Sequence, residues 1–173
     1  MGSSHKKQGK IADNNAKKAK VFGKIVKLIQ VEAKRCSGDE NDSALRAVVE
    51  KARKANVPKE TIDRAIKKAS EVGDLSPMLY EGYGPAGVGL IITALTENTN
   101  RTSPEIKSLL GKNGASLGAP GSVAWNFTKN PETGDWEPNT TVDLSEEDQE
   151  KLAELIEIIE DQDDVQDVFT NAK

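Results

Sequence analysis

The sequence predicts an α+β protein in which an N-terminal three-helix bundle precedes a two-layer α/β sheet domain of ferredoxin-like type. Three observations predict this class. Apolar residues recur at helical spacing in the first part of the chain, the period changes near residue 76, and the sign of the charge changes there too. Residues 1–76 carry a formal charge of +8 and residues 77–173 a charge of −12. We therefore expect a basic helical domain over 1–76 and an acidic sheet domain over 77–173.

Three amphipathic helices are predicted in the first domain, over about residues 13–36, 42–55 and 58–72. Gly38 and Gly73 are placed to end the first and the third of them. Close connections between short helices that each have one apolar side are typical of a small bundle.

Strands and helices should alternate in the second domain after a linker over 73–77. The predicted elements are a strand over 87–95, a helix from a cap at Ser103, a strand over 123–127, a helix from a cap at Ser145 and a strand near 165–169. The apolar run 87–95 suits a strand that is covered on both faces, and the caps follow the usual helix-start order. Residues 129–144 contain turn signals and are predicted to be a loop.

The segment 82–87, GYGPAG, satisfies the pattern G-x-G-x-x-G of a dinucleotide-binding loop. Such a loop must open a helix whose first amides hold the phosphates. Here an apolar strand follows instead, and Pro85 removes one amide. We interpret these glycines as a connection between two strands and expect no nucleotide cofactor.

Several kinds of chemistry are not expected from this composition. Cys36 and His5 are the only residues of their types, so neither an intramolecular disulfide nor a four-ligand zinc site nor a convincing Cys–His pair is expected. A reducing cytoplasmic compartment fits this cysteine usage, and no run of about 20 apolar residues could span a bilayer. Neighbouring acids such as Asp163-Asp164 are interpreted as solvated rather than catalytic. We expect no enzymatic activity, metal, cofactor or small-molecule substrate.

The first helix carries a concentration of lysines. Residues 1–35 contain ten Lys or Arg residues and two acids. The candidate phosphate-binding residues are Lys6, Lys7, Lys10, Lys17, Lys18, Lys20, Lys24, Lys27 and Lys34. Six of them repeat at seven-residue spacing and fall within an arc of roughly 120°, opposite most of the apolar residues. Like charges this close repel unless a polyanion neutralises them, and nucleic-acid phosphate is the commonest such partner. A solvated helix face and an anionic membrane surface are the alternatives.

A second candidate site lies between the apolar strand and the next helix. Asn98, Asn100, Arg101 and Thr102 cluster there, beside free helix amides that favour anions. The alternative is that these residues make only turn and cap hydrogen bonds.

Long segments of the second domain resemble the YebC/PmpR family, whose members include mitochondrial translational activators. The segments are YEGYGPAGVGLIITALTENTNRT (80–102), NGASLGAPGSVAWNFTK (113–129) and DQDDVQDVFTN (161–171). KKAKVFGKI (17–25) and LRAVVEKARKANVPKETIDRAI (45–66) agree as well, so the resemblance covers about four-fifths of the chain.

The resemblance implies a helical domain followed by an α/β domain, with a third α/β domain usually inserted in the second. It implies a non-enzymatic, cytoplasmic, nucleic-acid-binding regulator. Family members include probable DNA-binding transcriptional regulators. Others are ribosome-associated translation factors that ease synthesis through proline runs, which implies contact with ribosomal RNA.

Two departures from the family pattern bear on function. The stretch GSSHKKQGK lacks the tryptophan that usually follows a lysine near the family's N-terminus, and the loop 129–144 stands in place of the inserted domain. The fold should survive such a deletion, but any contact that the inserted domain makes would be absent.

The sequence leaves two questions of partner open. Duplex DNA and ribosomal RNA, free or within the ribosome, both fit the lysine-rich helix, because lysine contacts to phosphate carry no sequence information. The alternative function is a protein-interaction module that docks a basic partner, such as a ribosomal protein, through the acidic α/β domain.

Overall fold

The computed structural model describes the backbone of residues 3–173 and the side chains from residue 17 onward. The protein is of the mixed α+β class, with five α-helices and antiparallel strands in the described part of the chain. It divides into two compact units, residues 1–72 and 73–173.

The first unit consists of three helices and a short 3₁₀ turn. They are α1 (Ser3–Arg35), α2 (Ser43–Lys54), α3 (Lys59–Lys67) and the turn Ala69–Glu71. α1 packs against both α2 and α3. One buried cluster unites them, formed by Ile25, Ile29, Ala33, Leu45, Ala52, Val57, Ile62, Ala65 and Ala69. Burial of each helix's apolar side therefore holds these helices together.

The ends of α1 and the start of α2 follow local signals. Gly38 has φ +77° and donates its N–H to the Ala33 carbonyl at 2.7 Å, which closes α1 as the sequence predicts. The carboxylate of Asp42 accepts the N–H groups of Ala44 and Leu45, both at 3.0 Å. The bond from Leu45 contributes most to holding the pKa of Asp42 below its usual value. Asp42 therefore caps α2.

The predicted end of the third helix at Gly73 is wrong. Lys68 leaves the helical conformation, with ψ 5°, so α3 ends at Lys67. The chain continues as the 3₁₀ turn, in which Ala69 stays within the buried cluster.

The second unit contains a four-stranded sheet, a two-stranded sheet and two helices. Its elements are β1 (Ser76–Tyr83), β2 (Gly89–Thr96), α4 (Thr99–Lys112), β3 (Ser116–Leu117), β4 (Phe127–Lys129), β5 (Trp136–Pro138), α5 (Glu146–Glu160) and β6 (Val165–Thr170). The larger sheet has the order β3-β1-β2-β6 with every pair antiparallel. β1 begins at Ser76, inside the predicted linker.

The two faces of the larger sheet are covered differently. Leu90 and Ile92 of β2 join a buried cluster with Ile106 of α4 and Leu155 of α5. Because side chains alternate along a strand, Ile91 points to the opposite face, where it packs in a second cluster with Val123 and Phe127. The sheet is thus buried on both sides at β2, as its apolar run predicts.

The ferredoxin-like order is wrong, because a helix separates the first two strands in that topology, whereas β1 and β2 form a hairpin. Ala86 and Gly87 have φ +56° and +74°, the consecutive positive values of a type I′ turn. Val88 donates its N–H to the Pro85 carbonyl across that turn at 3.2 Å. The interpretation of the glycine-rich segment as a strand connection is confirmed.

The predicted start of α4 at Ser103 is also wrong. The helix begins at Thr99, and Pro104 lies inside it. Asn98 is the cap, since its side-chain oxygen accepts the N–H of Arg101 at 3.2 Å.

The predicted strand 123–127 is mostly a turn. Residues 124–126 form a 3₁₀ turn, and only Phe127–Lys129 pair as β4, with β5 inside the predicted loop. The cause is the buried carboxylate of Glu81, which accepts the N–H groups of Gly121 (2.6 Å), Val123 (3.0 Å) and Ala124 (2.5 Å). These bonds fold the segment back on itself, and Trp125 is left 74% exposed.

The last two elements agree with the sequence. The hydroxyl of Ser145 accepts the N–H of Asp148 at 3.2 Å and caps α5. The terminal strand is β6, which pairs with β2 at the edge of the larger sheet.

Candidate nucleic-acid interface

The buried side of α1 is defined by residues three and four apart. Ile25, Ile29 and Ala33 have at most 6% of their surface exposed, and Phe22 and Val26 pack beside them. At about 100° per residue these five side chains point in nearly one direction, into the first unit. That direction fixes which side of α1 remains for other contacts.

The lysines of the central part of α1 lie on the other side. Lys17, Lys20, Lys24 and Lys27 are spaced by three, four and three residues, so their mean direction is about 180° from that of the buried side chains. Lys17 is exposed, and the other three are half-buried. We call these four residues the lysine face.

The remaining predicted lysines differ from one another. Lys34 donates from its Nζ atom to the Val72 carbonyl at 2.8 Å, which ties it to the end of the first unit. Lys18 is exposed but lies one turn before Phe22, towards the buried side of the helix. The side chains of Lys6, Lys7 and Lys10 lie outside the described residues.

One acidic side chain of α1, Glu32, lies beyond the lysine face towards the end of the helix. From residue 17 to the end of the helix, Glu32 is the one acid in the sequence, and its carboxylate pairs with Arg35 at 2.8 Å. Arg35 also contacts the Asp42 carboxylate at 2.5 Å. Arg35 therefore joins the end of α1 to the cap of α2.

The second predicted site lies at the start of α4, where its four residues have different surroundings. Asn98 serves as the helix cap, and Thr102 is completely buried. Asn100 is exposed, and the Arg101 side chain is 54% exposed. Asn98 and Thr102 therefore shape the helix start, whereas the side chains of Asn100 and Arg101 are exposed.

A buried carboxylate that sequence reasoning missed holds this helix start. Oδ2 of Asp164 accepts hydrogen bonds from the Thr102 hydroxyl at 2.8 Å and the Arg101 guanidinium at 3.1 Å. The hydroxyl oxygens of Thr96 and Thr102 lie 2.7 Å apart. A carboxylate can only accept, so the Thr102 proton points to Asp164 and the Thr96 hydroxyl donates to Thr102.

Asp164 is not the solvated acid that the sequence suggests, because it is only 6% exposed. Burial alone would raise its pKa, but hydrogen bonds from Thr102, Arg101 and Gln162 outweigh burial and hold the pKa of Asp164 below its usual value. Asp164 therefore stays negative and holds one terminal nitrogen of the Arg101 guanidinium. The one signal in the sequence was its position directly before the apolar strand β6.

Two other features, a metal-binding group and a membrane-spanning helix, are not found in the described part of the chain. No group of three His, Cys, Asp or Glu side chains is placed to hold a metal ion there. Among the same residues, no helix combines the length and the apolar character that crossing a bilayer requires.

A lysine-faced helical unit followed by an acidic antiparallel-sheet unit defines a class of two-part α+β proteins. Matches of this sequence to models of known protein families identify its family. Residues 3–72 match the family model described as TACO1/YebC protein N-terminal domain, and residues 75–133 and 130–172 match the one described as TACO1/YebC second and third domain. The chain belongs to the TACO1/YebC family.

One curated relative spans nearly the whole chain, and another matches about two thirds of it. A probable transcriptional regulatory protein of Thermosipho africanus is 35% identical over 234 aligned positions, which cover 98% of this chain and 93% of the relative. A probable transcriptional regulatory protein of Borrelia turicatae is 48% identical over 120 positions, covering 66% of this chain and 49% of the relative.

A solved structure has the same fold. The crystal structure of a conserved hypothetical protein from Aquifex aeolicus superposes with a TM-score of 0.76, is 26% identical, and covers 91% of each chain. The alignment of 234 positions with the Thermosipho relative exceeds the 173 residues of this chain. That relative therefore has many residues opposite gaps in this chain.

Proposed function

We propose that this protein is a non-enzymatic regulator of gene expression that binds nucleic-acid phosphate through the lysine face of α1. The observation that carries the proposal is the separation of charge and burial on that helix: Lys17, Lys20, Lys24 and Lys27 lie opposite the buried Ile25 and Ile29. The names of the relatives, probable transcriptional regulatory proteins, support a nucleic-acid partner.

The dimensions of the helix suit a polyanion. Ten residues of α-helix are about 15 Å long, and B-DNA carries one negative charge per roughly 1.7 Å of its axis. About nine phosphate charges therefore lie within the length of the lysine face, so all four ammonium groups can reach one. Such contacts position a protein on nucleic acid without reading its sequence.

We propose a second contact at Asn100 and Arg101. Their side chains are exposed at the N-terminal end of α4, where free amides favour an anion. Asn98 and Thr102 act there only by fixing the helix start, and Asp164 fixes Arg101.

We further propose that residues 129–144 replace the domain that the family usually inserts. Two observations support this: the matching segments of the family model meet at residues 130–133, and the alignment with the Thermosipho relative is longer than this chain. Nucleic-acid binding by this protein then depends on its two units alone.

A charge-reversal experiment tests the function. Lys17, Lys20, Lys24 and Lys27 are changed together to Glu, and binding to a fluorescent 20-base-pair duplex and to a 20-nucleotide RNA is measured by anisotropy at 100 mM salt. We expect affinity for the preferred nucleic acid to fall on the order of 100-fold, because four phosphate contacts are lost. Parallel titration of purified ribosomes decides between duplex DNA and ribosomal RNA as target.

The matched control changes Lys112, Lys129, Lys151 and Lys173 of the second unit to Glu, which alters the net charge equally. It should change affinity by less than about fivefold, since none of these residues belongs to either proposed contact and exposed charges act only within about 10 Å at this salt. Equal losses of affinity in the two variants would show that only the net charge of the protein matters, which would contradict the proposal. The same four lysines of α1 are also changed to Gln, and circular dichroism checks that this variant keeps its helical content.

A further inference from the structure

Trp125 is a large apolar side chain that nucleic-acid binding by α1 does not use. It lies in the 3₁₀ turn at 124–126 and is 74% exposed, and Tyr83 of β1 is 37% exposed. Aromatic side chains bury about 150–250 Å² when they are covered, so leaving two of them on the surface gives up stabilisation. Such exposure is typical of an interaction surface.

The two rings are held at one point. The indole N–H of Trp125 donates to the Ser122 carbonyl at 2.8 Å, and the Tyr83 hydroxyl donates to the same oxygen at 3.3 Å. Gly118 allows the close approach on the other side, because a Cβ atom there would lie 3.1 Å from Cε2 of Tyr83 and 2.6 Å from the Ser122 hydroxyl oxygen. The indole nitrogen of Trp125 and the hydroxyl oxygen of Tyr83 therefore lie within about 6 Å of each other, and we call these two side chains the aromatic patch.

Hydrogen bonds to Glu81 hold the segment 121–124, which directly precedes Trp125. The Glu81 carboxylate accepts three backbone N–H groups of residues 121–124, and its backbone carbonyl accepts the N–H of Gly118 at 2.7 Å. Burial opposes the charge of Glu81, yet the three N–H groups outweigh it and hold its pKa below the usual value. An anchored segment loses little conformational entropy when a partner binds, which favours binding.

The unit that carries the aromatic patch is acidic. Residues 73–173 contain 6 Lys or Arg and 19 Asp or Glu residues. The β4–β5 hairpin, which follows Trp125 directly in the chain, carries exposed Glu132 and Glu137 and half-buried Asp135 against the single cation Lys129. This charge attracts a cationic partner and repels the phosphates of a nucleic acid.

We propose that the aromatic patch binds an extended, arginine-bearing segment of a partner protein. A guanidinium placed over the face of Trp125 gains a cation–π interaction, which is strongest with tryptophan, and the acidic excess of this unit supplies the matching charge. This surface is separate from the lysine face of α1, so the protein binds nucleic acid and a basic protein segment through different units. Stacking of single-stranded bases on the two rings is the competing occupant.

The test uses the full-length protein and a fluorescein-labelled peptide of six Gly-Arg repeats, with a peptide of six Gly-Gln repeats as its uncharged match. Trp125→Leu keeps apolar volume but removes the π face, so we expect affinity for the arginine peptide to fall two- to fivefold. The glutamine peptide should bind weakly and equally to both proteins. In Trp136→Phe, where Trp125 is the sole tryptophan, the arginine peptide should change the tryptophan emission.

Three results would overturn the proposal. Equal affinity of wild type and Trp125→Leu for the arginine peptide would assign its binding to diffuse charge. Unchanged emission in Trp136→Phe would place the peptide elsewhere. A loss of twelve-nucleotide oligo(dT) binding in Trp125→Leu, with peptide binding intact, would assign the aromatic patch to bases. The lysine-face variant should retain peptide binding, so failure of the nucleic-acid proposal and failure of this one are distinguishable.

Discussion

Glu81 and Asp164 show how single buried carboxylates organise the second unit. Glu81 folds residues 118–124 over one face of the larger sheet, and Asp164 holds the start of α4 through Thr102 and Arg101. Each partner lies far away in sequence: Gly121 is 40 residues from Glu81, and Thr102 is 62 residues from Asp164. No local pattern marks such residues, which is why the sequence gives Glu81 no special role and suggests that Asp164 is solvated.

Glu81→Gln tests the anchor of the aromatic patch. The amide retains one acceptor oxygen but turns an NH₂ group towards backbone donors. We expect the free energy of unfolding to fall by about 2 kcal/mol, the usual contribution of hydrogen bonds to a buried charge. Urea denaturation measures the change. Glu97→Gln, at an exposed position, should stay within about 0.5 kcal/mol, and an equally small effect for Glu81→Gln would show that the anchor does not stabilise the fold.

The same two carboxylates predict how stability depends on pH. The pKa values of Glu81 and Asp164 are lower in the folded protein than their ordinary values. Their stabilising contribution is therefore complete above the unfolded pKa, about 4, and is lost as pH falls through the folded pKa. Between pH 6 and pH 3, urea denaturation should show a larger loss for the wild type than for the double variant Glu81→Gln, Asp164→Asn. Identical losses of stability in the two proteins would show that neither carboxylate contributes to the pH dependence.

At the scale of elements, agreement with the sequence depends on whether the signal is local. α1, α2 and α5 have apolar residues at helical spacing, and Asp42 and Ser145 cap their helices within three residues. α4 offered two local starts, and the Ser-Pro-Glu segment suggested the wrong one. The short strand β5 was missed because three residues are too few for a periodic signal, and β4 was overextended because Glu81 acts from another strand.

Asn98→Ala tests whether Asn98 caps α4. Loss of the side-chain bond to the Arg101 N–H should lower the free energy of unfolding by about 1 kcal/mol. Asn100→Ala, two residues further on and exposed, should change it by less than about 0.5 kcal/mol. Thermal and urea unfolding measure both. A larger loss of stability in Asn100→Ala than in Asn98→Ala would show that Asn98 is not the cap.

The β4–β5 connection is the element where the family's inserted domain is proposed to be missing. Six Gly and Ser residues added between Glu132 and Thr133 double the six-residue connection 130–135, which should cost about 0.6 kcal/mol. The same insertion between Gly121 and Ser122 should cost several-fold more, because it separates N–H groups that the Glu81 carboxylate accepts. Equal costs in urea denaturation would show that the hairpin is not a permissive position.

At the scale of the whole molecule, opposite charges mark its two units. The change of charge and of apolar period near residue 76 predicted two parts, and the structure divides at residues 72 and 73. Which partner each charged surface meets does not follow from charge alone, since lysine contacts to phosphate are alike on DNA and RNA. We propose that the basic helical unit binds nucleic acid and that the acidic sheet unit binds a cationic protein segment.

The salt dependence of nucleic-acid binding tests the central claim most directly. Affinity of the wild type and of the Lys17, Lys20, Lys24, Lys27→Gln variant for one DNA duplex is measured from 50 to 300 mM salt. Each phosphate contact contributes about −0.9 to the slope of log affinity against log salt, so the variant's slope should be shallower by about 3.6. Equal slopes for the two proteins would show that the lysine face does not meet the phosphates.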